Sequence, residues 1–141
     1  MTSYTQNFDG KDYPNASSSD PTASGWMQGT PPPVDKRIRF EDDQFFNFPQ
    51  IRWSLSHMRE LVPTVNIWRG SGAASDLSAI NSSTAAAIDA LIFTDMNGQT
   101  RTWADSLGDT YTDGIVVLHK GKRVYERNLS AMQPHTAHAC F

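Results

Sequence analysis

Residues 114–128 have the sequence GIVVLHKGKRVYERN, in which an apolar run is followed by a turn and then by a charged run. The β-branched residues at 114–119 are typical of a strand that is covered on both faces. Lys120 and Gly121 are expected to turn the chain. The alternating side chains of residues 122–127 predict a returning, half-exposed strand. This stretch therefore predicts an antiparallel hairpin. Because a two-stranded sheet cannot cover both faces of its own apolar strand, other parts of a fold are expected to cover that strand.

Three weaker signals lie just before the hairpin. The alanine-rich residues 82–90 predict a short helix that runs into an apolar strand at residues 91–93. Asn97 and Gly98 form the strongest local signal for a hairpin turn. Thr102 and Asp105 have the spacing of a capping box and predict a short helix through Leu107. Helices and antiparallel strands thus alternate along this half of the chain.

Residues 48–62 carry the clearest helical periodicity. Apolar side chains recur there at three- and four-residue intervals and fall on one helical face: Trp53, Leu55, Met58, Leu61 and Val62. Ser54 is expected to be the N-cap. Pro63 is expected to end the helix, because the residue before a proline avoids the α region.

Residues 1–47 are rich in Gly, Pro and Ser, which do not sustain a helix or a strand ladder. Aromatic residues are nevertheless scattered through the stretch and just after it: Trp26, Phe40, Phe45, Phe46 and Phe48. We expect an extended arm over 1–47 that is pinned to a larger body by these rings, with a disordered leader as the alternative. The remaining residues, 48–141, are expected to form one incomplete domain.

Composition excludes several classes of protein. A chain of 141 residues and 15.7 kDa is long enough for one domain. The net charge of −3 disfavours binding to nucleic acid or to an anionic membrane. The single cysteine, Cys140, excludes an internal disulfide framework. Without a secretory signal or a run of about 18 apolar residues, the expected protein is soluble and cytoplasmic.

Two stretches resemble a known family. Residues 52–64 (RWSLSHMRELVPT) resemble the N-terminal helix of the 6-aminohexanoate-dimer (nylon-oligomer) hydrolases, in which an Arg-Trp pair leads to a His and then to a Val-Pro helix stop. Residues 110–126 (TYTDGIVVLHKGKRVYE) resemble their first sheet hairpin. These enzymes belong to the class C β-lactamase-like, or penicillin-recognising, serine hydrolases. The resemblance covers roughly residues 48–141, and helix and hairpin in this order are more specific than either alone.

The resemblance implies the N-terminal part of a β-lactamase/transpeptidase-like fold of the α/β (α+β) class, an antiparallel sheet flanked by helices. In the family, a Ser-x-x-Lys helix follows this hairpin, with Ser as nucleophile and Lys, together with a Tyr, as its activating groups. No Ser-x-x-Lys occurs in the 141 residues. The nucleophile is therefore expected directly after Phe141, and the chain is expected to hold scaffold without catalytic residues. A modified serine, processing before it and truncation all stay open as explanations.

The implied activity is cleavage of an amide or ester bond in a small linear substrate through an acyl-enzyme. Phe141, beside the expected nucleophile, is the one residue expected at the pocket wall, as packing. No cofactor is expected. The expected partners are the small-molecule amide or ester substrate and the remainder of the hydrolase domain, in the same or a second chain. A homodimer stays open, whereas nucleic acid and membrane are not expected.

Two other functions compete with the hydrolase. The chain could be a non-catalytic scaffold or interaction module that uses the hairpin and the aromatic arm. Less favoured is a zinc-binding loop protein, in which His135, His138 and Cys140 supply imidazole and thiolate ligands. Their spacing lacks the paired pattern of structural zinc sites, so no metal site is expected. A nucleophilic Cys140 beside His138 is the least favoured of these hypotheses.

For four further residues or clusters we prefer a structural role over a catalytic or binding role. His57 is expected to be a surface or packing residue of its helix. Residues 70–72 (Gly-Ser-Gly) lack the G-x-S-x-G spacing of a nucleophile turn and are expected to be a linker. Residues 41–43 (Glu-Asp-Asp) are expected to form a solvated loop. Asp113 is expected to cap the turn before its strand.

Overall fold

A computed structural model describes residues 5–6, 12–68, 70–77 and 80–139. The chain divides into two compact units: unit 1 is Met1–Asn66 with Ser130–Phe141, and unit 2 is Ile67–Leu129. The described residues form α-helices and antiparallel two-stranded ladders. The chain is therefore a mixed α+β protein, as predicted at the level of fold class.

Unit 1 contains short elements around one longer helix. The strands β1 (Thr5–Gln6) and β2 (Asp12–Tyr13) pair antiparallel. They are followed by helix α1 (Pro21–Ser24) and, after two 3-10 turns, by helix α2 (Ile51–Leu61). The 3-10 turns are Val34–Lys36 and Gln44–Phe46. The predicted division of the chain between residues 47 and 48 stays a prediction.

The core of unit 1 is built where this loop-rich segment meets α2. Ile38, Phe45 and Trp53 are buried there. Half-buried side chains pack around them: Trp26, Met27, Met58 and Leu61. The apolar stripe predicted from the spacing in residues 48–62 thus faces the core through Trp53, Met58 and Leu61.

Helix α2 forms where the periodicity predicts it, and it ends before Pro63 as expected, with Val62 in an extended conformation. The prediction that Ser54 is the N-cap is wrong. The helix begins at Ile51, four residues before the start that an N-cap at Ser54 predicts, because the backbone carbonyls of Asn47 and Pro49 accept hydrogen bonds from Ile51 N (2.8 Å) and Arg52 N (3.2 Å). Ser54 lies inside the helix, fully buried, and its Oγ donates to the carbonyl of Gln50 (3.2 Å).

The described part of unit 2 contains two helices and two antiparallel hairpins. The elements are α3 (Ser82–Asp89), β3 (Ile92–Thr94), β4 (Thr100–Thr102), α4 (Trp103–Asp109), β5 (Gly114–His119) and β6 (Lys122–Asn128). Ala85 on α3, Leu107 on α4 and Tyr125 on β6 are buried together. The core of unit 2 therefore joins both helices to one face of the last strand.

The local signals before the hairpin predict the structure well. Strands β3 and β4 pair antiparallel, and Gly98 at their turn has φ +77°, a conformation that glycine adopts without a steric penalty. The strand begins at Ile92, one residue later than predicted. The capping box is present, because Thr102 Oγ1 accepts from Asp105 N (3.0 Å) while the Asp105 carboxylate accepts from Thr102 N (3.2 Å). The predicted helices at 82–90 and 102–107 are confirmed.

The decisive hairpin forms as predicted, with His119 paired to Lys122 across a two-residue turn. Lys120 and Gly121 have φ of +50° and +73°, as a type I′ turn requires at both central positions. The described residues cover only one face of β5, so its predicted cover on both faces stays a prediction. Ile115 packs against the core, but Val116 and Leu118 are each about half exposed, at 53% and 52%. A two-stranded ladder with one helix layer covers only one face, so the other face stays in contact with solvent.

Candidate functional site

A concave feature of unit 1 lies along one face of α2. Trp53, His57 and Glu60 are spaced by four and then three residues, so they lie on the same side of the helix. The His57 ring stacks on the Trp53 ring, with centroids 4.1 Å apart and planes inclined by 6°. The backbone of His57 departs from helical geometry (φ −124°, ψ 21°). The helix is therefore kinked at the residue that carries the imidazole.

The imidazole of His57 has two polar neighbours at one ring nitrogen. Its Nδ1 lies 2.8 Å from the carbonyl oxygen of Trp53 and 2.9 Å from Ser56 Oγ. A carbonyl oxygen can only accept, whereas a hydroxyl can donate or accept, so the role of Nδ1 depends on the tautomer of the ring. The predicted packing role of His57 agrees with the stacking and with its half-buried state.

The opposite side of the concave feature is made by α1 and the loop that follows it. Asp20 caps α1, its Oδ1 accepting from Thr22 N (2.9 Å) and Ala23 N (3.0 Å). Gln28 Nε2 donates to the carbonyl of Thr22 (3.2 Å). Met27, at φ +55°, donates its backbone N–H to the carbonyl of Lys36 (2.9 Å). The loop is therefore fastened at both ends and presents a fixed surface.

A buried arginine at the start of α2 ties down the turn that precedes α1. Arg52 is only 5% exposed, and its guanidinium donates to the carbonyl of Ala16 (2.6 Å) and to Ser19 Oγ (2.8 Å). Burial raises the pKa of Asp20, but hydrogen bonds from Ser130 Oγ and the α1 backbone, together with the charge of Arg52, outweigh it and lower this pKa overall. The Asp20 carboxylate is consequently stabilised in its charged form next to the concave face.

These elements line a cavity of about 280 Å³ that is open to solvent, which we call the α2 cavity. Its walls combine aromatic, apolar and polar side chains: Pro21, Thr22, Trp26, Met27, Gln28, Trp53, His57, Glu60 and Ala131. No serine, cysteine or lysine belongs to this lining. Trp26 Nε1 is buried and has no hydrogen-bond partner among the described residues. The polar groups of the α2 cavity thus include the imidazole of His57 and the carboxylate of Glu60, which suits binding rather than covalent chemistry.

Unit 2 holds a separate cluster of titratable groups. Tyr125 Oη donates to Asp89 Oδ1 (2.6 Å), and the guanidinium of Arg127 donates to Asp89 Oδ2 and lies 4.9 Å from the centroid of the Tyr125 ring. The hydrogen bonds from Arg127 and from Tyr125 lower the pKa of Asp89. Burial, followed by the bond to Asp89, raises the pKa of Tyr125. These three groups hold α3 against β6, and Arg127 also donates to the backbone carbonyl of Glu126 (2.9 Å), so we regard the arrangement as structural.

The Asp89 cluster predicts how the stability of unit 2 depends on acid. The pKa of Asp89 is lower in the folded state than in the unfolded state, so the folded state binds fewer protons at this group. The contribution of Asp89 to stability is therefore present above about pH 4 and is lost as the pH falls through the folded pKa. We expect Asp89→Asn to lower stability at pH 7 and to reduce the loss between pH 4 and pH 2. Urea denaturation across this range measures both effects. Asp76→Asn, at an exposed carboxylate before α3, is the control, and an equal acid loss in Asp89→Asn and the parent protein would contradict the prediction.

The predicted site residue Phe141 lies outside the described residues, as does Cys140. The two histidines of the zinc hypothesis, His135 and His138, are both exposed in the loop after β6. No group of three or more His, Cys, Asp or Glu side chains able to hold a metal occurs within residues 12–68, 70–77 and 80–139. Because Cys140 falls outside these ranges, the zinc hypothesis stays a hypothesis.

The remaining candidates occupy ordinary positions. Residues 41–43 are exposed, as expected for a solvated loop. Gly70 and Ser71 lie in an irregular segment without a preceding strand. The backbone carbonyl of Asp113 accepts from Leu129 N (2.8 Å), which closes the open end of the β5–β6 hairpin. None of these residues lines the α2 cavity.

Comparison with known proteins identifies no relative. No protein-family model matches the chain, and no curated protein or solved structure is significantly similar to it. Across the part of the chain that the structure describes, every helix is too short or too polar to cross a bilayer.

The α2 cavity is not among the features predicted from the sequence. The spacing of Trp53, His57 and Glu60 can be seen in the sequence. An aromatic ring, an imidazole and a carboxylate on one face of a helix are a signal for a binding surface. Trp26 stands out in the sequence only as a residue expected to pin the N-terminal stretch. Its position opposite α2 depends on the α1 loop, whose path the sequence does not reveal.

Proposed function

We propose that this chain supplies scaffold elements of a β-lactamase-like serine hydrolase that cleaves an amide or ester bond in a small linear substrate. The observation that supports the proposal is that both elements carrying the resemblance form: helix α2, which ends at Leu61 before Pro63, and the β5–β6 hairpin. Their order along the chain resembles that of the nylon-oligomer hydrolases. The cytoplasm is the compartment that we propose.

The exposed side chains of β5 support the same proposal. Val116, Val117 and Leu118 leave an apolar surface on the strand that the family resemblance assigns to a central sheet. Burying such surface contributes about 25 cal/mol per Å². Further elements of a hydrolase domain would cover these residues, either in the same polypeptide or in an associated chain.

The proposed chemistry uses a Ser-x-x-Lys pair that is not among the 141 residues. The serine oxygen attacks the carbonyl carbon of the substrate while lysine, assisted by a tyrosine, takes its proton. The proton passes to the leaving amine or alcohol, and backbone amides stabilise the oxyanion. Water then hydrolyses the acyl ester and regenerates serine. In this proposal the described residues form part of the scaffold that supports the active site, and Phe141 forms part of the pocket wall.

The proposal is tested by labelling the native protein with a fluorophosphonate, which reacts with activated serines, and measuring intact mass under denaturing conditions. We expect one adduct on the serine of a Ser-x-x-Lys peptide outside residues 1–141, in the same polypeptide or in a copurifying chain. Heat-denatured protein is the control and should not react. A native protein of 15.7 kDa without an adduct, or an adduct on a serine of this chain, would overturn the proposal.

The second candidate function is a non-catalytic interaction module, which the same exposed β5 side chains favour. In that case the apolar surface is covered by a partner protein rather than by the rest of a hydrolase. The labelling experiment separates the two, because a module remains unlabelled and has the mass of this chain alone.

A further inference from the structure

We propose that Asn97 is a site of covalent self-modification, at which its side-chain amide becomes a carboxylate through a cyclic imide formed with the backbone nitrogen of Gly98. The two residues lie in the turn between β3 and β4. The β3–β4 hairpin controls the rate of the reaction, because its hydrogen bonds hold the attacking nitrogen. The site lies outside the elements on which the proposed hydrolase rests.

The reaction consumes only water. Hydroxide removes the proton of the Gly98 amide, and the nitrogen attacks the side-chain Cγ of Asn97. A new N–Cγ bond closes a succinimide ring while the Cγ–Nδ2 bond breaks, and Nδ2 takes a proton from water and leaves as ammonia, which restores the hydroxide. Water then adds to one of the two ring carbonyls and opens the ring. The product is aspartate or isoaspartate at position 97, so the chain gains one water and loses one ammonia without any oxidation.

Both reacting residues are open to solvent. Asn97 and Gly98 are exposed, and Met96 before them is almost fully exposed. Among the described residues, no heavy atom beyond the chain neighbours of Gly98 lies within 4 Å of the point that a Cβ would occupy there. Glycine also leaves its own nitrogen unhindered, since it carries no Cβ. Asn97-Gly98 is the one Asn-Gly pair in the sequence, so this position is chemically distinct from every other asparagine.

Hydrogen bonds of the hairpin restrain the attacking nitrogen. Gly98 N donates to the backbone carbonyl of Asp95 (3.0 Å), so its proton is shielded from hydroxide. The Asp95 carboxylate accepts at Oδ1 from Asn97 N (2.8 Å) and from Gln99 N (2.9 Å), which fixes the backbone on both sides of Gly98. Because the nitrogen has to lose its proton before it attacks, the turn has to open first.

Asp95 is the residue that fastens this turn. Its backbone N donates to the carbonyl of Gln99 (2.9 Å), and its Oδ2 accepts from Arg101 Nε (3.4 Å), in addition to the bonds at Oδ1. Hydrogen bonds to a charged group are stronger than those between neutral groups. The open population of the hairpin, and with it the rate at Asn97, should therefore depend on the Asp95 side chain.

The modification in turn weakens the hairpin. The product places a second carboxylate two residues from Asp95, where it repels that group and competes for Arg101. Isoaspartate also lengthens the backbone by one atom inside a tight turn, which disturbs the pairing of Asp95 with Gln99. Faster amide exchange in β3 and β4 should therefore accompany the modified fraction.

The test incubates the native full chain in mildly alkaline buffer and follows position 97 by peptide mapping against an unincubated sample. Trypsin cleaves after Arg69 and Arg101, which releases residues 70–101 with both Asn97 and Asn81 in one peptide. Asn81 is the internal control, because it is exposed but precedes a serine, and its Oδ1 accepts from Ser83 N (2.9 Å). We expect aspartate and isoaspartate to accumulate at 97 and not at 81, and to form faster in urea-unfolded protein.

Matched variants test the control by the hairpin. Asp95→Ala should raise the rate at Asn97 about tenfold toward the rate in urea, as expected when hydrogen bonds to a carboxylate are lost. Asp76→Ala, at an exposed carboxylate outside the hairpin, should leave the rate unchanged.

Four results would each overturn the proposal: no modification of the folded protein, aspartate without isoaspartate at 97, equal rates at 81 and 97, or an unchanged rate in Asp95→Ala. Equal rates in folded and urea-unfolded parent protein would overturn the control by the hairpin, and this comparison does not depend on the folding of any variant.

Discussion

Replacing Tyr125 by alanine is expected to destabilise the core of unit 2 by about 3–5 kcal/mol, the usual cost of removing a large buried aromatic side chain. Tyr125 is 0% exposed and lies between Ala85 of α3 and Leu107 of α4. Its ring contacts Trp103 edge to face, with centroids 6.4 Å apart, and its hydroxyl reaches Asp89. Tyr125→Ala therefore removes both packing and a hydrogen bond to a charged group.

Native-state hydrogen exchange of the backbone amides in α3, α4 and the β5–β6 hairpin measures this effect, because the free energy of opening of those amides should fall together. Tyr125→Phe is the matched control. It keeps the ring and loses only the bond to Asp89, so we expect a loss of about 1.5–3 kcal/mol at most. Equal exchange in Tyr125→Ala and Tyr125→Phe would show that the ring does not hold unit 2 together.

Replacing Trp53 by alanine is expected to be equally costly in unit 1, at about 3–5 kcal/mol. Trp53 is 5% exposed, packs with Ile38 and Phe45, and supports the stacked ring of His57. Its loss opens the core and removes a wall of the α2 cavity at the same time. Urea denaturation followed by far-ultraviolet circular dichroism measures the change in the free energy of unfolding.

Trp68→Ala is the control for this experiment. Trp68 is 75% exposed, so its replacement is expected to change stability by no more than about 0.5 kcal/mol. If Trp53→Ala were as mild as Trp68→Ala, the core assigned to unit 1 would be wrong.

The parts of the fold that the sequence predicted are those governed by neighbouring residues. The β5–β6 hairpin follows from an apolar run, a Lys120-Gly121 turn and a polar return strand, all within fifteen residues. The capping box of Thr102 and Asp105 depends on two side chains three positions apart. Pro63 ends α2 through its own steric effect on Val62. In each case the interaction that selects the conformation is local.

The wrong prediction concerns a feature that other parts of the chain decide. Ser54 has the chemistry of an N-cap, but α2 begins at Ile51 because upstream carbonyls accept its first hydrogen bonds. The residue composition of β5 predicts a strand covered on both faces by further parts of a fold, and this stays a prediction, since Val116 and Leu118 are exposed among the described residues. Neither the number of packing partners nor their direction can be obtained from a strand's own residues.

The candidate site shows the same division between features set by neighbouring residues and features set by distant ones. In the sequence, His57 and Trp26 have separate expected roles, and the expected pocket lies at Phe141, outside the described residues. The α2 cavity arises because the α1 loop brings Trp26 opposite Trp53, twenty-seven positions along the chain. The sequence by itself determined the class of fold, the β5–β6 hairpin, the capping box of α4 and the end of α2, since these depend on short-range sterics and hydrogen bonds. Only the tertiary structure decided the burial of Tyr125, the exposure of β5 and the cavity beside α2, because each depends on long-range packing between segments that are far apart in the chain.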